Sequence, residues 1–83
     1  MKLYVGNLVY NMTDAQLEEL FKPFGKVVSA RIMTDQYTRG SLNFGYVKMS
    51  KLDEGQTAME MLNGKTVNDR YIEVKPVQTA KIN

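Results

Sequence analysis

The chain has 83 residues, of which 43% are hydrophobic and 24% charged, with a formal net charge of +2 at pH 7. These values define a single soluble globular domain that buries only about 60% of its unfolded surface, with room for one modest core and no deep cleft. Neither Cys nor His occurs, which removes disulfides, thiolate nucleophiles, imidazole bases and the usual zinc or iron–sulfur ligands, so no metal, cofactor or enzymatic activity is expected.

Lys2 to Gly6 alternates as a strand, and Asn7 to Met12 reads as a loop. Thr13-Asp14-Ala15-Gln16 has the spacing of a capping box, and Asp14 suits the positive end of the helix that starts there. Leu17, Leu20, Phe21 and Phe24 recur at helical spacing and make a core stripe, which Pro23 and Gly25 bring to an end. Val27 to Met33 is a second strand, with Ala30 and Ile32 inward and Ser29, Arg31 and Met33 on the other face. A polar turn, Thr34 to Ser41, leads into a third strand from Leu42 to Met49. Ser50 and Asp53 repeat the capping signal for a second helix, whose apolar face is Ala58, Met61 and Leu62. Asn63-Gly64 stops it, because both residues tolerate the left-handed conformation of a helix end. A short extended piece, Lys65 to Val67, turns at Asn68-Asp69 into a last strand from Arg70 to Lys75, after which Pro76 leaves the sheet.

The order strand, helix, strand, strand, helix, strand is the ferredoxin-like split-βαβ pattern of an α+β fold: a four-stranded antiparallel sheet with two helices on one face. It covers residues 1–77, leaving 78–83 as a short tail. The open sheet face is unusual in what it carries. Alternation puts Leu3 and Val5 on one side of the first strand and Tyr4 on the other. In the third strand Leu42, Phe44, Tyr46 and Lys48 share a face, with Asn43, Gly45, Val47 and Met49 opposite. The aliphatics fill the buried side, so Tyr4, Phe44 and Tyr46 are left for solvent, and three rings on an open sheet need an explanation.

With that order in hand, the chain resembles the RNA recognition motif family over residues 2 to 77. Leu3-Tyr4-Val5-Gly6-Asn7-Leu8 looks like the family's RNP2 hexamer, and Asn43-Phe44-Gly45-Tyr46-Val47 with its flanks looks like its RNP1 octamer. Gly25-Lys26-Val27, Thr34-Asp35 and Leu62-Asn63-Gly64 are secondary agreements, and small single-domain proteins of bacteria are the nearest likeness. Three positions depart from RNP1: Leu42 stands where Arg or Lys is usual, Asn43 where Gly is usual, and Met49 where an aromatic is usual. The resemblance implies a monomeric module for single-stranded RNA, with single-stranded DNA a second candidate ligand. In it Tyr4 and Tyr46 each stack a base and Phe44 packs on a sugar. Lys2, Arg31, Arg39, Lys48 and Lys75 are candidates for phosphates, Asn7 and Glu73 for base edges, and the backbone around Pro76-Val77-Gln78 for a further base.

Other readings compete with these. A solvated charged face accounts for Arg31, Lys48 or Lys75 taken singly, and loop or edge packing accounts for Tyr10, Tyr37 and Tyr71. The glycines never form a phosphate-binding GxGxxG run. A protein-interaction module of the same fold is the main alternative, although such modules generally lose the sheet aromatics. An acyl-phosphate hydrolase on this scaffold needs an Arg near the first strand, and residues 6 to 12 contain none. No apolar run reaches membrane-span length and the amino terminus does not read as a signal segment, so the expected home is cytoplasmic, with no membrane partner.

Overall fold

A computed structural model describes residues 1–77. Chain order gives β1 (Lys2–Gly6), α1 (Asp14–Phe21), a 3-10 turn (Lys22–Phe24), β2 (Val27–Thr34), β3 (Ser41–Met49), α2 (Leu52–Leu62), β4 (Thr66–Val67), β5 (Arg70–Tyr71) and β6 (Glu73–Pro76). The main sheet is antiparallel in the order β2-β3-β1-β6. The two strands that carry the aromatic stretches are therefore its central pair. Both helices lie on one face, where Leu17 and Phe21 of α1 and Ala58 and Leu62 of α2 join Leu3, Val5, Val47 and Met49 in a single buried cluster. This is the ferredoxin-like α+β architecture expected from the element order.

The first helix begins as its residues dictate. The Thr13 hydroxyl accepts from the Gln16 N–H at 3.1 Å and the Gln16 side chain accepts from the Thr13 N–H at 3.0 Å, closing the capping box. Pro23 then occupies the 3-10 turn, and Gly25 reverses the chain at φ 149°.

The second helix starts later than its cap signal predicts. The Ser50 N–H donates to the Lys26 carbonyl at 3.0 Å, which ties Ser50 to the strand side, and its hydroxyl donates to Glu54 at 2.9 Å. Lys51 is the residue at the helix boundary, and its side chain makes no capping hydrogen bond. The buried face is Gly55, Ala58 and Leu62, while Met61 is 55% exposed. Met61 lies about 100° round the helix from Leu62, which sits between Gly55 and Ala58 in the buried arc. At the helix end Gly64 takes the positive φ (83°), whereas Asn63 stays at φ −63° and uses its side-chain oxygen to accept from the Val74 N–H at 2.9 Å.

The predicted last strand is two strands. Asn68 and Asp69 both adopt left-handed φ (51° and 66°), giving a two-residue turn that pairs β4 with β5 as a separate hairpin. The ladder breaks at buried Ile72, whose N–H donates to the Lys65 carbonyl and whose carbonyl accepts from the Gly64 N–H. Both of its backbone groups are thereby committed away from the main sheet. Pro76 stays in the sheet, opposite Leu3, because β6 is an edge strand on which no N–H is required of it.

Candidate nucleic-acid interface

The register of the central strands builds the open face in rows. One row runs Arg31, Tyr46, Tyr4, Lys75 across all four strands, a second runs Phe44, Gly6, Glu73, and a third runs Ser29, Lys48, Lys2. Tyr4, Phe44 and Tyr46 meet as a triangle, with ring centroids 5.5, 5.9 and 6.0 Å apart and mostly edge-to-face contacts. All three rings are half-buried, against the fully buried Leu3, Val5 and Val47 on the other side of the same strands. Cations flank the triangle: the Lys2 ammonium lies 4.8 Å from the Tyr46 centroid and the Lys75 ammonium 5.5 Å from that of Tyr4. Lys75 also pairs with Glu73 at 3.3 Å, an exposed contact of little energetic weight.

Glycines make this arrangement possible at two points. A side chain at Gly45 would meet the backbone carbonyl of Arg31 on the neighbouring strand, so its absence permits the β2–β3 approach that puts Arg31 beside Tyr46. Gly6 shares its face with Tyr4, and a Cβ there would lie 2.5 Å from the Tyr4 hydroxyl oxygen and 2.7 Å from a ring carbon. The Tyr4 ring thus lies flat over a residue with no side chain. Gly6→Ala is expected to push the ring aside while leaving the fold intact. Thermal unfolding should change by less than about 1 kcal/mol, because only a movable side chain is in the way. RNA affinity should fall several-fold, and an unchanged affinity would mean that the position of the Tyr4 ring does not matter.

Eight of the ten residues singled out from the sequence converge on this face: Lys2, Tyr4, Arg31, Phe44, Tyr46, Lys48, Glu73 and Lys75. Asn7 does not join them as a free base reader. It sits past the end of β1 at φ 60°, its side-chain nitrogen donates to the Tyr71 carbonyl at 2.9 Å, and its side-chain oxygen accepts from Arg70. Both ends of the amide hold the β4–β5 hairpin against the loop after β1. Arg39 stands at the sheet's edge, in the turn before β3. Of Pro76-Val77-Gln78, Gln78 lies outside the described residues, as does the tail 78–83.

Sequence reasoning left the part played by Asn43 open. It adopts φ 66°, its side-chain nitrogen donates to the Leu8 carbonyl and its carbonyl accepts from the Leu8 N–H, both at 2.9 Å. The side chain in this position does what glycine could not: it stitches β3 to the loop after β1. The signal was in the residue type, since Asn is among the few non-glycine residues that tolerate positive φ and also has an amide to offer.

An open antiparallel sheet bearing contacting rings between cations defines a class of nucleic-acid-binding domain. The sequence matches the RNA recognition motif over residues 3–73, and the chain belongs to that family. It is 42% identical over 73 residues to the 28 kDa chloroplastic ribonucleoprotein of Spinacia oleracea, covering 88% of this chain but only 31% of that protein. Among solved structures it is similar to RNA binding protein PG1, with TM-score 0.91 and 34% identity over 98% of this chain and 99% of that one. It is also similar to the Sex-lethal protein in its RNA complex, with TM-score 0.89 and 31% identity over 96% of this chain and 48% of that one.

Two expectations are corrected by these relatives. The cytoplasmic assignment is contradicted by the relatives: those of Spinacia oleracea and Nicotiana sylvestris are chloroplastic ribonucleoproteins, and that of Arabidopsis thaliana is a chloroplastic RNA-binding protein. Lack of Cys and of an apolar span is compatible with any reducing or oxidising compartment, so composition had no power to choose. The nearest likeness to small bacterial proteins likewise gains no support, since these relatives are plant proteins.

Proposed function

We propose that this domain binds single-stranded RNA by stacking bases on Tyr4 and Tyr46, with Phe44 against the sugar between them. The supporting observation is the ring triangle, set on the sheet face away from the core and bordered by Lys2, Lys48, Arg31 and Lys75. Unpaired bases offer their π-faces to such rings. Each stack contributes about 1–3 kcal/mol, so two stacks give about 2–6 kcal/mol against the roughly 8 kcal/mol of a micromolar complex. The cations close that gap through phosphates, which makes binding salt-sensitive: the logarithm of affinity falls by about 0.7 per phosphate for each decade of salt. Leu42, exposed on the same face in place of a cation, contributes no such contact and keeps affinity modest.

Titration with single-stranded RNA followed by amide chemical shifts tests the reading. Perturbations are expected over residues 2–6 and 42–48 and at Arg31 and Lys75. A map that is flat there, with shifts on the helical side instead, would favour a protein-interaction module and reject the stacking one.

A further inference from the structure

The four strands of the main sheet contain one acidic residue, Glu73, and in the register it stands opposite Gly6. Because the Tyr4 ring lies flat over Gly6, its outer edge reaches the same place. Phe44 borders that ring on one side, with centroids 5.5 Å apart, and the strand of Glu73 borders it on the other. The Lys75 ammonium joins the two, lying 5.5 Å from the Tyr4 centroid and 3.3 Å from a Glu73 carboxylate oxygen. Both side chains of this pair are more than half exposed, so it contributes little and costs little to open. On a face otherwise lined with cations, a carboxylate beside the ring works against phosphates. What it can accept is N–H groups.

We propose that the base stacked on Tyr4 is a guanine, its N1–H and its N2 amino group donating to Glu73 and its O6 accepting from Lys75. The proposal rests on the reading of the ring face as the RNA platform. Unpaired bases are read on their Watson–Crick edges. Guanine presents there two adjacent donors, which suit the two oxygens of a carboxylate, and then a carbonyl, which suits an ammonium. The Glu73–Lys75 pair offers those groups side by side. Adenine and cytosine each have one amino donor next to a ring nitrogen that repels the carboxylate. Uracil is the poorest fit, since its single N–H lies between two carbonyls. The arriving base takes the ammonium's place above the ring, and O6 offers the ammonium a new partner at the rim.

Uridine pentamers whose central base is uracil, guanine, adenine, cytosine or hypoxanthine test it, with chemical-shift titration as the readout for weak binding. Guanine is expected to bind roughly fivefold or more tighter than uracil, the lower end of what a paired base contact discriminates. Hypoxanthine, which is guanine without its N2 amino group, should lose most of that preference. Glu73→Ala removes an exposed side chain from an edge strand, so the variant folds, and its guanine-to-uracil ratio should fall to within about twofold of unity. Lys48→Ala takes a cation from the far row of the face, so it should weaken every pentamer and keep the ratio. Uracil or any other base matching guanine in the parent chain overturns the assignment, as does a preference that survives in Glu73→Ala, and either result leaves the ring face standing. If no pentamer bound the parent chain, the platform reading would fail, and this proposal with it.

Discussion

Tyr4→Ala and Tyr46→Ala are each expected to weaken binding of single-stranded RNA by roughly 5- to 150-fold, the equivalent of one lost base stack. The domain should remain folded in both cases. The two residues oppose each other across the β1–β3 ladder, but their rings stand on the face away from Leu3, Val5 and Val47, so the core is untouched. The stability cost is limited to ring contacts with Phe44 and with each other, about 0.5–1.5 kcal/mol per pair beyond area burial. Tyr→Phe at either position keeps the π-face and serves as the control, with most of the affinity retained. Because the two rings touch, the double variant should depart from the sum of the singles. Isothermal titration alongside thermal unfolding separates the two quantities, and parental affinity in either alanine variant would reject stacking on that ring.

Most of this face was legible because period-two alternation is a hard geometric rule once a strand is recognised. Tyr4 in one strand and Phe44 and Tyr46 in another could share a face only if β1 and β3 were neighbours, and the strand-helix order supplied that. The capping box at Thr13 was equally readable, since it is a contact between residues three apart. What escaped were features decided by partners distant in sequence. Ser50 fails to cap α2 because Lys26, from the other side of β2 and β3, claims its N–H. Ile72 splits the last strand because Lys65 and Gly64 claim both of its backbone groups. Asn7 is taken up by Arg70 and Tyr71, more than sixty positions along the chain. Local propensity carries no information about such claims, and each one moved an element boundary or withdrew a side chain from the site.

The same division explains why charge was harder to read than aromaticity. A ring on an open strand face has few structural uses, whereas a lysine on that face is the ordinary way to keep a sheet soluble. The positions of Lys2 and Lys75 above Tyr46 and Tyr4 change the weighting. Both cations lie where the proposed stacking would bring a base. A base arriving on either ring must displace an ammonium, and a phosphate attached to that base offers it a new partner nearby. On the proposed stacking, the lysines act on the same event as the rings.

Phe21→Ala is expected to cost about 3–5 kcal/mol, the largest stability loss of any single change considered for this domain. Phe21 is fully buried at the end of α1, where it packs into the one cluster that joins both helices to the sheet. For a chain of this size total stability is about 4–12 kcal/mol, so a large share of the molecules would unfold under mild denaturant. Urea titration should show the midpoint fall sharply, while the slope stays near that of the parent. Binding to RNA would also fall, but for a different reason from that in Tyr4→Ala. Only the folded fraction has a ring face, so apparent affinity drops by the factor by which the folded population drops. Raising stability with an osmolyte should restore binding in Phe21→Ala and leave Tyr4→Ala unrepaired. If osmolyte rescued both variants alike, the rings would be acting through the fold, and the separation between the core face and the binding face would be wrong.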